Sequence, residues 1–219
     1  MNWFGADTLA FLADLAAHND RQWFAANRET YMAAVRDPAR NFADALARGM
    51  AVAPGVPHTG KIYRINRDLR FSKDRTPYNT HVHIAVWSRD TGAQGPTWMV
   101  GLEPGRLTLG AGIMGFSPTQ LRAWRTAVAG RDGGELHGIL RGLVDRGVRL
   151  SQPELKRVPA PYEDGHVLAD LLCRKSVTVW RDVEPPSTCF GEAGPGNCAD
   201  GLAAFSSVVE WLRRHVAGC

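Results

Sequence analysis

The feature that most constrains this chain is a change of hydrophobic period near residue 56. Before it, apolar residues recur every three or four positions, as Leu9, Leu12 and Leu15 do in LAFLADLAAHN. That spacing predicts a helix capped at Asp7 or Thr8 and stopped by Asn19. A second helix is expected from Asp20 through RQWFAANRETYMAAV, with Trp23, Phe24, Asn27 and Tyr31 on related faces. Pro38 is expected to open a third, NFADALARGM. Beyond the loop AVAPGVPHTG the period falls to two. From residue 61 to 72 the odd positions read Lys61, Tyr63, Ile65, Arg67, Leu69 and Phe71, and the even positions are mostly polar. This alternation predicts a strand with one polar face.

SKDRTPYN supplies a turn, and HVHIAVWS follows as a strand burying Val82, Ile84 and Val86. TWMVGLE and RLTLGAGI are further strands, and short connections between consecutive strands imply an antiparallel meander. Ser117 and Pro118 pair a cap with a first-position proline, so a helix is expected over TQLRAWRTAV, then another around GELHGILRGLVDRG. A proline-rich crossing, SQPELKRVPAPYEDGH, leads to a short helix at HVLADLLC, a strand at SVTVWRDV and a C-terminal helix at LAAFSSVVEWLRRHV. The expected class is α+β, an antiparallel sheet with helices on one face or at its ends. At 219 residues, one domain over 1–219 is expected.

A hydrophobic content of 44% and a charged content of 22% are those of a globular chain and exclude a disordered or fibrous one. MNWFGADTLAF has no basic segment before an apolar run, and no apolar stretch approaches the roughly 20 residues of a membrane span. A soluble, cytoplasmic protein is therefore expected, with no membrane partner. Cys173, Cys189, Cys198 and Cys219 lack zinc-site spacing and read as free thiols, although Cys189 and Cys198 flank a Gly-rich stretch in which they could meet.

Charge is distributed unevenly. Between residues 61 and 89, seven cations (Lys61, Arg64, Arg67, Arg70, Lys73, Arg75 and Arg89) face only Asp68 and Asp74, leaving +5 locally within a net +4. Concentrated charge of this kind suits a small anion better than long nucleic acid, which is usually met by an extended basic face. Arg67 falls by parity among Ile65 and Leu69, where a guanidinium needs partners. Either Asp68, Asp74 or a distant carboxylate answers it, or it converges with Arg64, Arg70 and Lys73 on a ligand phosphate or carboxylate, which the planar fork of arginine suits.

Other stretches carry weaker signals. In GAGIMGFSPTQL, Gly110 and Gly112 precede a capped helix, an arrangement that holds an anion or marks a bulge and tight packing. His81 and His83 share one strand face at a chelating spacing, but no third ligand follows from spacing, so no metal is assigned. Nucleophile-elbow, P-loop and zincin motifs are absent.

NDRQWFAANRETY, KIYRINRDLRFSKDRTPYNTH, GLEPGRLTLGAGI, KRVPAPYEDGH and VLADLLCRKS together resemble a bacterial and fungal family catalogued as domain of unknown function 2461. The resemblance runs from about residue 8 to residue 215, and Arg64, Arg67, Asp68, Arg70, Phe71, Ser72, Lys73, Asp74, Pro77 and Tyr78 fall on its central pattern. It implies one domain and makes the basic segment a family feature, without implying an activity. The expected function is binding of a small phosphorylated or carboxylated ligand. Arg67 and Arg70 would clamp it, Lys73, Arg64, Ser72, Tyr78, Gly110 and Gly112 would assist, and Arg21 and Trp23 would complete the wall. Asp68 or Asp74 would orient the arginines or act as general base. Nucleic acid binding, with Phe71 and Tyr78 stacking on bases, and docking of an acidic protein are the alternatives. Cofactor, reaction and oligomeric state stay open.

Overall fold

The structure is a computed structural model that describes residues 2–50, 56–70 and 72–218. Phe71 and Cys219 lie outside the described residues, as does most of the loop after residue 50.

The N-terminal helices form much as their spacing dictates. Helix α1 (Ala6–Ala17) buries Phe11, Leu12 and Leu15. Asp20 caps α2 (Arg21–Ala26) by accepting from the Trp23 amide at 2.8 Å. The single second helix expected from sequence is in fact divided: α3 (Arg28–Tyr31) passes into a π turn, Met32–Arg36, and then into α4 (Asp37–Met50). Pro38 is the physical reason. It has no N–H to donate and its ring collides with the carbonyl four residues back, so a wider turn just before it relieves the clash. Helix α4 buries Phe42, Ala43 and Leu46.

Six strands follow: β1 (His58–Ile62), β2 (Val82–Ser88), β3 (Thr97–Glu103), β4 (Arg106–Ile113), β5 (Arg149–Leu150) and β6 (Val177–Val183). They hydrogen-bond in the order β1-β2-β3-β4-β6-β5, an antiparallel sheet in which β2, β3 and β4 are strands of the expected meander, while β1 lies earlier than the strand expected over 61–72. The two-residue β5 sets Arg149 opposite Trp180 and Leu150 opposite Val179. Val82, Ile84 and Val86 are buried along β2 as their alternation requires. The α+β class is therefore the observed one.

The remaining helices are α5 (Pro118–Ala129), α6 (Gly133–Asp145), α7 (Ala169–Leu172), α8 (Gly194–Ala203) and α9 (Ser206–Leu212), the last continuing into a second π turn, Arg213–Ala217. The single C-terminal helix expected from residue 202 is thus broken, and the Gly-rich GPGN, expected as loop, opens α8. Among the described residues no helix is long and apolar enough to cross a membrane.

The chain divides into two compact units that are interleaved along the sequence. The first takes residues 1–86, 99–109 and 182–201, and its core includes Phe4, Leu12, Leu15, Phe42, Ile84, Leu102 and Leu107. The second takes residues 87–98, 110–181 and 202–219, and centres on Trp124 and Trp211, whose rings meet edge to face at 5.7 Å.

Candidate functional site

The basic segment of the first unit departs from the strand that its alternation predicts. Strand β1 ends at Ile62, and residues 63–70 and 72–81 form a loop held by isolated backbone bonds. Tyr63 donates to the His83 carbonyl (2.9 Å), Arg67 to that of Pro77 (2.9 Å) and Asn79 to that of Ile65 (2.7 Å), with one bridge between Asn66 and Tyr78. The local side chains explain the difference. The Asp68 carboxylate accepts from the Arg70 amide at 3.2 Å and that of Asp74 from the Thr76 amide at 2.9 Å, and such turns compete with a ladder.

Arg67 is 24% exposed at its side chain, and both terminal nitrogens of its guanidinium are bonded within the loop. It donates to the Asp74 carboxylate, to the Thr76 hydroxyl and carbonyl (3.2 Å to the latter) and to Ser72 Oγ at 3.4 Å. Arg70 grips Asp68 through Nε (3.0 Å) and a terminal nitrogen (2.6 Å) but is 77% exposed. The convergence of Arg67, Arg70 and Lys73 on a common anion, one of two readings of their spacing, gives way here to internal pairing. A single contact of Arg67 with Asp74 and the two-nitrogen grip of Arg70 on Asp68 make the first two braces for the loop.

The carboxylates are correspondingly poor bases. The Thr76 amide, then the Arg67 guanidinium and the Thr76 hydroxyl, hold Asp74 down to about 2. Asp68 is likewise lowered, chiefly by Arg70. A general base works best with a pKa near the operating pH, so the expected role for Asp68 or Asp74 in proton abstraction loses its physical basis.

Tyr78 is buried and stacks on Phe24 with ring centroids 4.1 Å apart, so it anchors the loop instead of lining a ligand surface. The Asn19 amide clamps both backbone groups of Tyr78, accepting from its N–H at 3.1 Å and donating to its carbonyl at 2.9 Å. This places the start of α2, with exposed Arg21, beside the loop. Ser72 is half-buried against Arg67. Arg64 and Lys73 are exposed and carry no ion pair among the described residues. Lys61 lies over the ring of Tyr63 at 5.3 Å, and Tyr63 is 51% exposed. Arg75 is exposed and donates a long 3.4 Å bond to the Leu69 carbonyl.

Gly110 and Gly112 belong to the second unit. A methyl group at Gly110 would overlap the Trp180 ring, and one at Gly112 the Val177 carbonyl. With φ at +136° for Gly112, both are glycines for close packing, and the space an anion would need beside them is filled. The start of α5 is closed too: Ser117 Oγ accepts from the Gln120 amide at 3.2 Å while Gln120 accepts from the Ser117 amide at 3.0 Å.

Next to the basic loop the open face of the sheet carries a polar row that spacing alone did not reveal. His83 on β2 leans over Gly101 on β3, where a Cβ would lie 3.4 Å from the imidazole. Thr108 on β4 follows and donates to Asp182 on β6 at 2.8 Å. His81 stacks on His83 with centroids 4.1 Å apart, and Glu103, itself paired with Arg106, lies within electrostatic reach of both imidazoles. Burial of the ring, reinforced by His81, lowers His83 to about 4, and burial lowers His81 as well. Both imidazoles are neutral near pH 7. Among the described residues no group of three or more His, Cys, Asp or Glu side chains is placed to hold a metal.

Arg174 is another residue that the sequence did not single out. It is 3% exposed and bonds to Asp170 at 2.7 Å and to the Ser151 carbonyl, tying the proline-rich crossing to the end of α7. Cys173, Cys189 and Cys198 are free and buried; burial raises the thiols of Cys189 and Cys198 to about 12.

No curated protein matches the chain. Residues 7–211 match the family model described as conserved hypothetical protein, a span that includes the basic loop and all six strands. The chain thus belongs to the family of domain of unknown function 2461.

Proposed function

We propose that this protein binds a polyanion along its basic edge, and that single-stranded nucleic acid is the ligand class it fits best. One observation carries the reading. Arg67 and Arg70 are paired within the loop, while Lys61, Arg64, Lys73 and Arg75 stay exposed, and Lys61 lies over the exposed ring of Tyr63. Fixed cations beside an aromatic ring supply the two interactions that sequence-tolerant single-strand binding uses, phosphate neutralisation and base stacking. The braces matter because a loop held in one conformation gives up less entropy on binding.

An enclosed clamp for a small anion has less support. The two clefts of about 600 and 630 Å³ among the described residues are lined by side chains other than Arg67, Arg70 and Lys73.

Fluorescence anisotropy with a labelled single-stranded oligonucleotide tests the proposal. If four phosphates are neutralised, log affinity should fall against log salt with a slope of about −3. The Lys61→Glu/Arg64→Glu/Lys73→Glu/Arg75→Glu variant should abolish binding, and Tyr63→Ala should weaken it by about tenfold without changing the slope. No binding at low salt overturns the reading. Binding of inorganic phosphate that is lost in Arg67→Ala would restore the enclosed clamp in its place.

A further inference from the structure

The second unit contains a cleft of about 630 Å³ running along α5 from Thr119 to Gly130 and closed by His215. Its volume is in the range of small-molecule sites. Its apolar lining includes Ala123 and Ala127, and its polar groups are Thr119, Arg122, Thr126, Arg131, Asp132 and His215.

The charged groups around it form an unfinished cluster. Asp132 lies between two cationic or protonatable partners and closes on neither: Arg131 Nε is 3.7 Å away and His215 Nδ1 is 3.8 Å away, both beyond hydrogen-bond length. Neighbouring charges are, by contrast, satisfied. Arg214 meets Glu135 at 2.8 Å, and Arg213 meets Glu210 at 3.1 Å. Among the described residues Arg122 makes one hydrogen bond, at 3.3 Å to Thr119 Oγ1, and is otherwise exposed.

His215 is held in place by its surroundings. The π turn Arg213–Ala217 carries it, Trp211 packs against its ring at 4.6 Å, and Trp211 Nε1 donates to the Asp132 carbonyl at 3.1 Å. Its Nε2 is buried without a hydrogen-bond partner, which disfavours a proton there and leaves Nδ1 to carry it toward Asp132. A π turn costs hydrogen-bond geometry and often marks a functional position.

We infer that this cleft binds a small hydroxylated phosphate, with Arg122 and Arg131 taking the phosphate oxygens and Asp132, beside His215, accepting from a ligand hydroxyl. The chemistry follows from the donors present. A phosphate answers two arginines in a way that a neutral sugar cannot. A bare phosphate leaves the Asp132 carboxylate without a donor and sets like charges near each other, whereas a hydroxyl on the same ligand supplies that donor. The hydroxyls of Thr119 and Thr126 add positions for the remaining oxygens.

Isothermal titration calorimetry with glycerol 3-phosphate, inorganic phosphate and glycerol on the full chain tests this. Glycerol 3-phosphate should bind about tenfold more tightly than inorganic phosphate, and glycerol should not bind. Arg122→Ala and, separately, Arg131→Ala should each weaken both phosphates by about tenfold. Asp132→Ala should erase the difference between them, since it removes the oxygen that accepts from the ligand hydroxyl. Because Arg122 and Arg131 are exposed, their variants should keep the unliganded melting temperature. The quadruple glutamate variant of the basic loop should bind glycerol 3-phosphate normally, which separates this site from the polyanion edge. Absence of glycerol 3-phosphate binding, or binding unaffected by both arginine variants, overturns the inference.

Discussion

Asp74 and His83 place two titrations on opposite sides of pH 4, and each leaves its mark on stability. Asp74 is held at about 2 against an ordinary 3.8, so the folded state releases its proton more readily than the unfolded chain. Its contribution is complete above pH 4 and is lost as pH falls through 2. His83 is lowered to about 4 against an ordinary 6.5. The unfolded chain binds this proton first, so stability declines as pH falls from about 6.5 through 4. Thermal melts of the wild type, Asp74→Asn and His83→Ala from pH 8 to pH 2 should resolve the two windows. The wild type should lose stability between pH 6.5 and 4 more steeply than His83→Ala, and its advantage over Asp74→Asn should vanish only below pH 4. At this scale the sequence was half legible. The need of Arg67 for partners is visible in its parity, and Asp74 was among those considered, but nothing in the spacing says that pairing would win over a ligand. The row from His83 through Gly101 and Thr108 to Asp182 is invisible for another reason: its members come from four strands and meet only once the sheet exists.

Elements were more readable where a single local rule governed them. Ser117 and Pro118 announce α5 because capping box and first-position proline act within one turn. Alternation failed over residues 63–72 because Asp68 and Asp74 offer the backbone bonds that an edge strand would otherwise make. The π turn before Pro38 is explained by proline chemistry, but its position depends on how the continuing helix buries Phe42 and Leu46, which the local pattern does not encode. Gly112 shows the element scale setting a residue's identity. Its positive φ and the Val177 carbonyl facing it leave no room for a side chain where β4 runs beside β6. Gly112→Ala should therefore destabilise the protein by about 3 kcal/mol or more, measured by urea unfolding, whereas Gly134→Ala, facing open space on α6, should be neutral or stabilising by about 0.5–1 kcal/mol.

For the whole molecule, the hydrophobic periods foretold the α+β class and the shift from helices to sheet, because both rest on patterns that run over many residues. It did not foretell that each compact unit would gather three separate stretches of chain. That threading has a practical consequence for anyone wishing to study the polyanion edge or the phosphate cleft by itself. No single cut yields an intact half. A fragment ending at residue 109 would lack the last stretch of one unit, and its complement would lack the first stretch of the other, so neither piece expressed alone should give the sharp melting or dispersed amide spectrum of a native protein.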